Sequence, residues 1–155
     1  MGIDFSFLIQ SVNGNQIYNG AGQYMSVGFN NGFDNQTRDQ LLAWTKPGQI
    51  TNVPEARLFG GNGVNPSSRF LDDGSYVRLK NIVLGYNFPK ALISKIKLSS
   101  LRVYAQATNL ATWTKYKGWD PELNSDAFSG NITQGYDFYA APQAKTITFG
   151  INVGF

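Results

Sequence analysis

Residues 144–155 read Ala-Lys-Thr-Ile-Thr-Phe-Gly-Ile-Asn-Val-Gly-Phe and alternate without interruption. Ile147, Phe149, Ile151, Val153 and Phe155 fall on one face, and Thr146, Thr148, Gly150, Asn152 and Gly154 on the other. A period of two marks a β-strand, because successive side chains leave the pleat on opposite sides. One wholly apolar face, one small or polar face and a final aromatic are unusual in a soluble domain. They suit a strand of an outer-membrane barrel, apolar toward lipid and polar toward a wet lumen.

Three further segments alternate. Residues 4–13 place Phe5, Phe7 and Ile9 opposite Ser6 and Gln10, with Leu8 and Val12 interrupting the polar face. Residues 75–88 place Ile82, Leu84, Tyr86 and Phe88 opposite Val83, Gly85 and Asn87. Residues 101–110 place Leu101, Val103, Ala105 and Ala107 opposite Arg102, Tyr104, Gln106 and Thr108. Each segment approaches the roughly ten residues with which a tilted strand crosses a bilayer. The connections run very long (14–74), short (89–100) and long (111–143), the pattern of large outer loops and tight periplasmic turns. Such long connections exceed what a compact soluble domain carries without structure of its own. With the last strand ending on the periplasmic side, Phe5, Phe7, Tyr86, Phe88 and Phe155 are expected to form an aromatic girdle there.

Composition removes several function classes. The chain holds no Cys and no His, which excludes disulfides, the usual zinc sites and Ser-His or Cys-His catalysis. No cofactor and no metal are implied, and no enzyme is expected. A mean hydropathy of −0.25 and the lack of a run of about 18 apolar residues exclude a transmembrane helix. A membrane barrel, whose half-apolar strands average to bland hydropathy, stays open. Lys90, Lys95 and Lys97 cluster, but the net charge is only +3, and no basic surface interleaved with aromatics points to nucleic acid. The 11 Phe, 8 Tyr and 17 Gly favour strands and loops. No export signal follows Met1, so a barrel chain of this kind is expected to start within a longer protein.

Local signals are few. Residues 37–45 read as a short helix, capped by Asn35 or Thr37, with Leu41 and Trp44 on one face and Lys46-Pro47-Gly48 as its stop. Pro89 is expected at the first position of a helical turn over 89–94. Residues 60–63 form a glycine-rich loop without the Lys-Ser/Thr of a phosphate-binding loop. Four strands do not close a barrel, for which about eight is the minimum. Open edges in hydrocarbon would leave backbone groups unpaired. The chain is therefore part of a larger barrel, an oligomerising piece, or a soluble β-protein whose alternation faces a core; the first is the most economical.

Residues 70–89, residues 100–110 continuing through 116–122, and residues 146–155 together resemble the C-terminal end of the SusC/RagA family of TonB-dependent outer-membrane transporters, found in Bacteroidetes. Asp4-Phe5-Ser6-Phe7 and residues 14–19 fit the same family, so the resemblance spans nearly the whole chain. It implies an all-β, antiparallel fold: the last four strands of a plugged transmembrane barrel of about 22 strands. It also implies uptake of oligosaccharides or peptides, energised by the TonB complex through an N-terminal region, with a SusD-like lipoprotein as lid. The plug and the TonB-contacting segment are not in this sequence. By the same resemblance, Phe149, Ile151, Val153 and Phe155 belong to the signal read by the barrel-assembly machinery, while with Ile147 they meet outer-membrane lipid.

Two residue groups invite a site reading. Asp72 and Asp73 precede Gly74, and Asp120 and Glu122 flank Pro121. Paired carboxylates can work on a glycoside or hold calcium, but without a third ligand they read as turn chemistry. Trp113, Tyr116 and Trp119 cluster beyond the third strand, where flat aromatics stack on sugar rings or serve a girdle or loop packing. The alternative whole-chain reading is a soluble all-β carbohydrate-binding module with Trp113 and Trp119 as platforms.

Overall fold

The computed structural model describes residues 2–28, 34–61, 63, 65–122, 125 and 135–155. In chain order the strands are β1 (Gly2–Val12), β2 (Gln16–Asn19), β3 (Leu71–Asp73), β4 (Tyr76–Asn87), β5 (Ser100–Thr114), β6 (Tyr136–Asp137) and β7 (Thr146–Gly154). Two short helices, α1 (Gly20–Met25) and α2 (Lys90–Ile93), join them. The chain divides into two compact units: residues 1–13, 76–114 and 143–155, and residues 14–75 and 115–142.

The first unit is a four-stranded sheet in the order β1-β4-β5-β7, antiparallel throughout. Its register lines up the apolar positions seen in the sequence. Ile3, Tyr86, Val103 and Ile151 form one cross-strand row; Phe5, Leu84, Ala105 and Phe149 form the next; Phe7, Ile82, Ala107 and Ile147 form a third. The intervening rows, among them Asp4, Gly85, Tyr104 and Gly150, point to the other face. There Arg102 donates to Asp4 across β4, and a Cβ on Gly85 would lie 2.5 Å from the guanidinium and 2.6 Å from the carboxylate. Glycine leaves the space that lets this ion pair span the intervening strand.

Three expectations change in this unit. The strand expected to end at Leu110 runs to Thr114. The ladder shifts register between Leu79 and Asn81, opposite Asn109, which takes a left-handed φ of 53°. Asn tolerates that conformation, so the irregularity is absorbed as a bulge and pairing resumes at Ala111. Next, β1 begins at Gly2, opposite Asn87. Phe5 and Phe7 therefore stand successively further from the end of the sheet, at about 7 Å per two residues. The aromatics at that end are Tyr86 and Phe88, edge to face at 4.9 Å, and the terminal Phe155. Finally, Pro89 caps its turn from an extended conformation (ψ 140°) instead of occupying the first helical position.

The second unit is built on a small sheet in the order β3-β2-β6, with β2 antiparallel to β3 and parallel to β6. Ile17 at its centre is 2% exposed. Tyr18 stacks on Tyr136 at 5.7 Å and meets Phe70 edge-on at 6.4 Å. Ile17→Val removes one buried methylene from this centre, and the loop unit should lose about 0.5–1.5 kcal/mol. Limited proteolysis of the folded protein checks it: cleavage within residues 14–75 should speed up, with the sheet of the first unit unaffected.

The helix expected over 37–45 is only a 3-10 turn, Arg38–Leu42, and Thr37 makes no side-chain cap. Backbone at Ala43 is already extended (ψ 144°), so Trp44 leaves the helical face. Leu41 is 87% exposed, and Ala43 is buried instead. Of the glycine-rich loop over 60–63, Asn62 lies outside the described residues.

Candidate functional site

Two surfaces stand out, one in each unit. On the sheet, Ile147, Phe149, Ile151, Val153 and Phe155 are all exposed, as are Ile3, Phe5, Phe7 and Leu84, which share rows with Ile151, Phe149 and Ile147. A continuous apolar face of this kind exceeds what a soluble surface presents. Trp113 lies near the end of β5 rather than in a loop; it is exposed, and paired with Val77.

In the second unit the small sheet gathers polar side chains from distant parts of the chain. Asn19 and Asp137 face each other across β2 and β6. Asn19 caps α1, accepting from the Gly22 N–H at 2.7 Å, and its amide donates to Asp72 at 3.3 Å. Lys117 lies 3.8 Å from Asp72. These residues line a cavity of about 470 Å³ together with Asp39, Arg69, Trp119 and Tyr139. Among sequence-derived candidates, Trp119 lines this cavity and is 61% exposed. Tyr116 is buried beside it in the chain, and its hydroxyl donates to Asp137 at 2.6 Å. Burial first, then that hydrogen bond, raises the Tyr116 pKa well above the ordinary phenol value.

The carboxylates divide in role. Asp73 accepts from the Ser75 N–H at 2.9 Å and Asp120 from the Glu122 N–H at 3.0 Å, each a turn bond. Asp72 departs from the turn reading: it sits in β3 and faces the cavity. Asp39, Arg69 and Asp137 stand far apart in the sequence and meet only in the fold, from the 3-10 turns Arg38–Leu42 and Ser68–Phe70 and from β6 respectively. Among the described residues no cluster of His, Cys, Asp or Glu is arranged to hold a metal.

The exposed apolar rows and the polar rows behind them define the architecture of a β-barrel segment. No protein-family model matches the chain, but curated proteins do. It is 34% identical over 155 residues to TonB-dependent receptor P3 of Formosa agariphila, covering 98% of this chain and 15% of that protein. It is 30% identical over 158 residues to TonB-dependent receptor SusC of Bacteroides thetaiotaomicron, covering 98% of this chain and 14% of that one. Among solved structures, the RagAB peptide importer in its closed-closed state superposes with a TM-score of 0.82 at 28% identity, over 99% of this chain and 16% of that one. The chain belongs to the SusC/RagA family of TonB-dependent receptors. It spans about 15% of the length of the curated relatives it matches.

Proposed function

We propose that the chain is the C-terminal part of the barrel of an outer-membrane nutrient importer, supplying its last four strands. The observation that carries this is the sheet itself. Its apolar rows are exposed on β1, on β7 and at Leu84 of β4 and half-exposed at Ile82, Tyr86, Val103, Ala105 and Ala107 between them, while β1 and β7 each pair on one side only among the described residues. In hydrocarbon those free edges need further strands, so the rest of the barrel, of about 22 strands around a plug, supplies them. The role of this piece is architectural: it closes the barrel, faces lipid, and holds the two long connections outward. Transport of an oligosaccharide or peptide, TonB energisation and a SusD-like lipoprotein lid belong to the whole protein. The relatives, receptors and an importer by name, support a carrier over an enzyme. Ile147, Phe149, Ile151, Val153 and Phe155 serve as lipid contact and as the signal for the barrel-assembly machinery. A soluble carbohydrate-binding module would instead have to bury the face that carries them.

Fractionation of the source cells, probed with an antibody to residues 144–155, tests the reading. A detergent-soluble outer-membrane band far larger than a 155-residue chain is expected. A soluble band of that small size would overturn the proposal.

A further inference from the structure

We infer that the apolar face of the first unit holds a site for one anionic phospholipid, its acyl chain along β5 and its headgroup phosphate at Lys90, Lys95 and Lys97. This rests on the importer reading and adds a lipid partner of stated charge to its barrel.

The acyl part of the site is a furrow. On β5 the apolar face narrows to Val103, Ala105 and Ala107, all half-buried, while larger side chains stand on both sides. Leu84 and Phe149 flank Ala105, and Tyr86 and Ile151 flank Val103. Between them lies a depression of about 670 Å³, within the roughly 300–1,000 Å³ of small-ligand sites. A furrow one strand wide, running about 13 Å from Val103 to Ala107, suits a linear hydrocarbon chain.

The headgroup part is the turn at the Tyr86 end of the furrow. β4 ends at Asn87 and β5 begins at Ser100, with α2 and the 3-10 turn Ser94–Ile96 between them. Lys90, Lys95 and Lys97 are exposed there, and no acidic side chain pairs with them among the described residues. Leu92 and Ile96 are exposed as well. Apolar and cationic groups thus share one surface, as in segments that lie at a lipid–water boundary.

Charge selects the headgroup. From Tyr76 to Thr114 the sequence holds Arg78, Lys80, Lys90, Lys95, Lys97 and Arg102 but no Asp or Glu. Asp4 is the single acidic side chain of the first unit, and Arg102 takes it on the polar face. The Phe155 carboxylate also lies at this end, accepting from the Ser99 hydroxyl at 3.2 Å, and the three lysines outnumber it. Basic residues beside an apolar span attract anionic headgroups, about fivefold for each lysine. A zwitterionic headgroup would gain little from this field, and a free phosphate would leave the furrow bare. With the C-terminus periplasmic, the lysines meet the periplasmic leaflet.

The test uses the full-length protein in nanodiscs of equal phosphatidylglycerol and phosphatidylcholine, released into mild detergent for native mass spectrometry. Phosphatidylglycerol should be retained over phosphatidylcholine by about tenfold or more. Lys90→Gln, Lys95→Gln and Lys97→Gln combined should bring that ratio near one, whereas Lys145→Gln, outside the turn, should leave it unchanged. Ala105→Trp should displace lipid of either headgroup, because it fills the furrow with a side chain that still suits hydrocarbon. The site is overturned by equal retention of the two lipids, by a ratio unmoved in the triple variant, or by retention indifferent to Ala105→Trp. Preferential retention of added lipopolysaccharide, or a two-copy mass without lipid, would overturn it too, giving the furrow another occupant. Fractionation of the same cells separates the two readings: an outer-membrane protein without lipid preference loses only this site, whereas a soluble protein loses the importer.

Discussion

Leu84→Lys or Ile151→Lys will leave the protein out of the outer membrane. Both side chains are exposed on the apolar face, in adjacent rows: Leu84 with Phe5 and Phe149, Ile151 with Ile3 and Val103. A lysine facing lipid costs up to about 2–4 kcal/mol, most at the bilayer midplane and less toward either interface. That is a large share of the stability of most folded proteins, commonly about 5–15 kcal/mol. Leu84→Lys, one row further from the Tyr86 end, should therefore have the larger effect. The control is Thr148→Lys. Thr148 shares its row with Ser6, Val83 and Gln106 on the opposite face, where a lumen accepts a charge. Cell fractionation and heat-modifiable gel mobility read the result: loss of the folded membrane band for the first two variants and its retention for the third. Normal insertion of Leu84→Lys and Ile151→Lys would show that this face does not meet lipid.

Tyr116→Phe should loosen the loop unit far more than the loss of one oxygen suggests. The hydroxyl is buried and lies 2.6 Å from Asp137. Without it, neither oxygen of that carboxylate keeps a partner among the described residues. Leaving a buried carboxylate uncompensated costs about 3 kcal/mol. Proteolysis within residues 115–142 should accelerate sharply, while the sheet of the first unit keeps its heat stability. Unchanged cleavage would mean that the Tyr116–Asp137 contact is not a support of the loop.

The same phenol sets an alkaline limit. Its folded pKa is raised well above the ordinary phenol value, and those of Tyr18, Tyr136 and Tyr139 are raised too, chiefly by burial. A raised pKa means that folding favours the neutral phenol. Its contribution is therefore whole below about pH 10 and is lost as pH climbs above the unfolded value toward the folded one. Tyrosine absorbance followed with pH should show a fraction of residues ionising late and together, as the loop unit opens. A single transition near the ordinary phenol value would refute this.

The sheet is legible in the order of the amino acids. Strict alternation in residues 144–155 and in the three segments before it assigns each side chain to a face, because the period of a strand is fixed by its geometry. The alternation excludes a slip of one residue, which would turn Phe149 and Ile151 inward and Thr148 and Asn152 outward, but not a slip of two, so the observed register belongs to the fold. What alternation did not carry was local backbone irregularity. The left-handed Asn109 extends β5 to Thr114 and places Trp113 on a strand, and the extended Ala43 turns Trp44 away from its helix. Neither depends on hydrophobic period, so neither shows in the pattern.

The loop unit, by contrast, exists only through contacts between distant segments. β2, β3 and β6 are four, three and two residues long, too short to show a period, and they come from the beginning, the middle and the later part of the chain. Their pairing brings Asn19, Asp72 and Asp137 to one cavity, buries Tyr116 and leaves Trp119 at the rim. In sequence Tyr116 and Trp119 are near-equivalent loop aromatics. Burial separates them, because a buried hydroxyl needs a partner while an exposed ring is left open to a ligand.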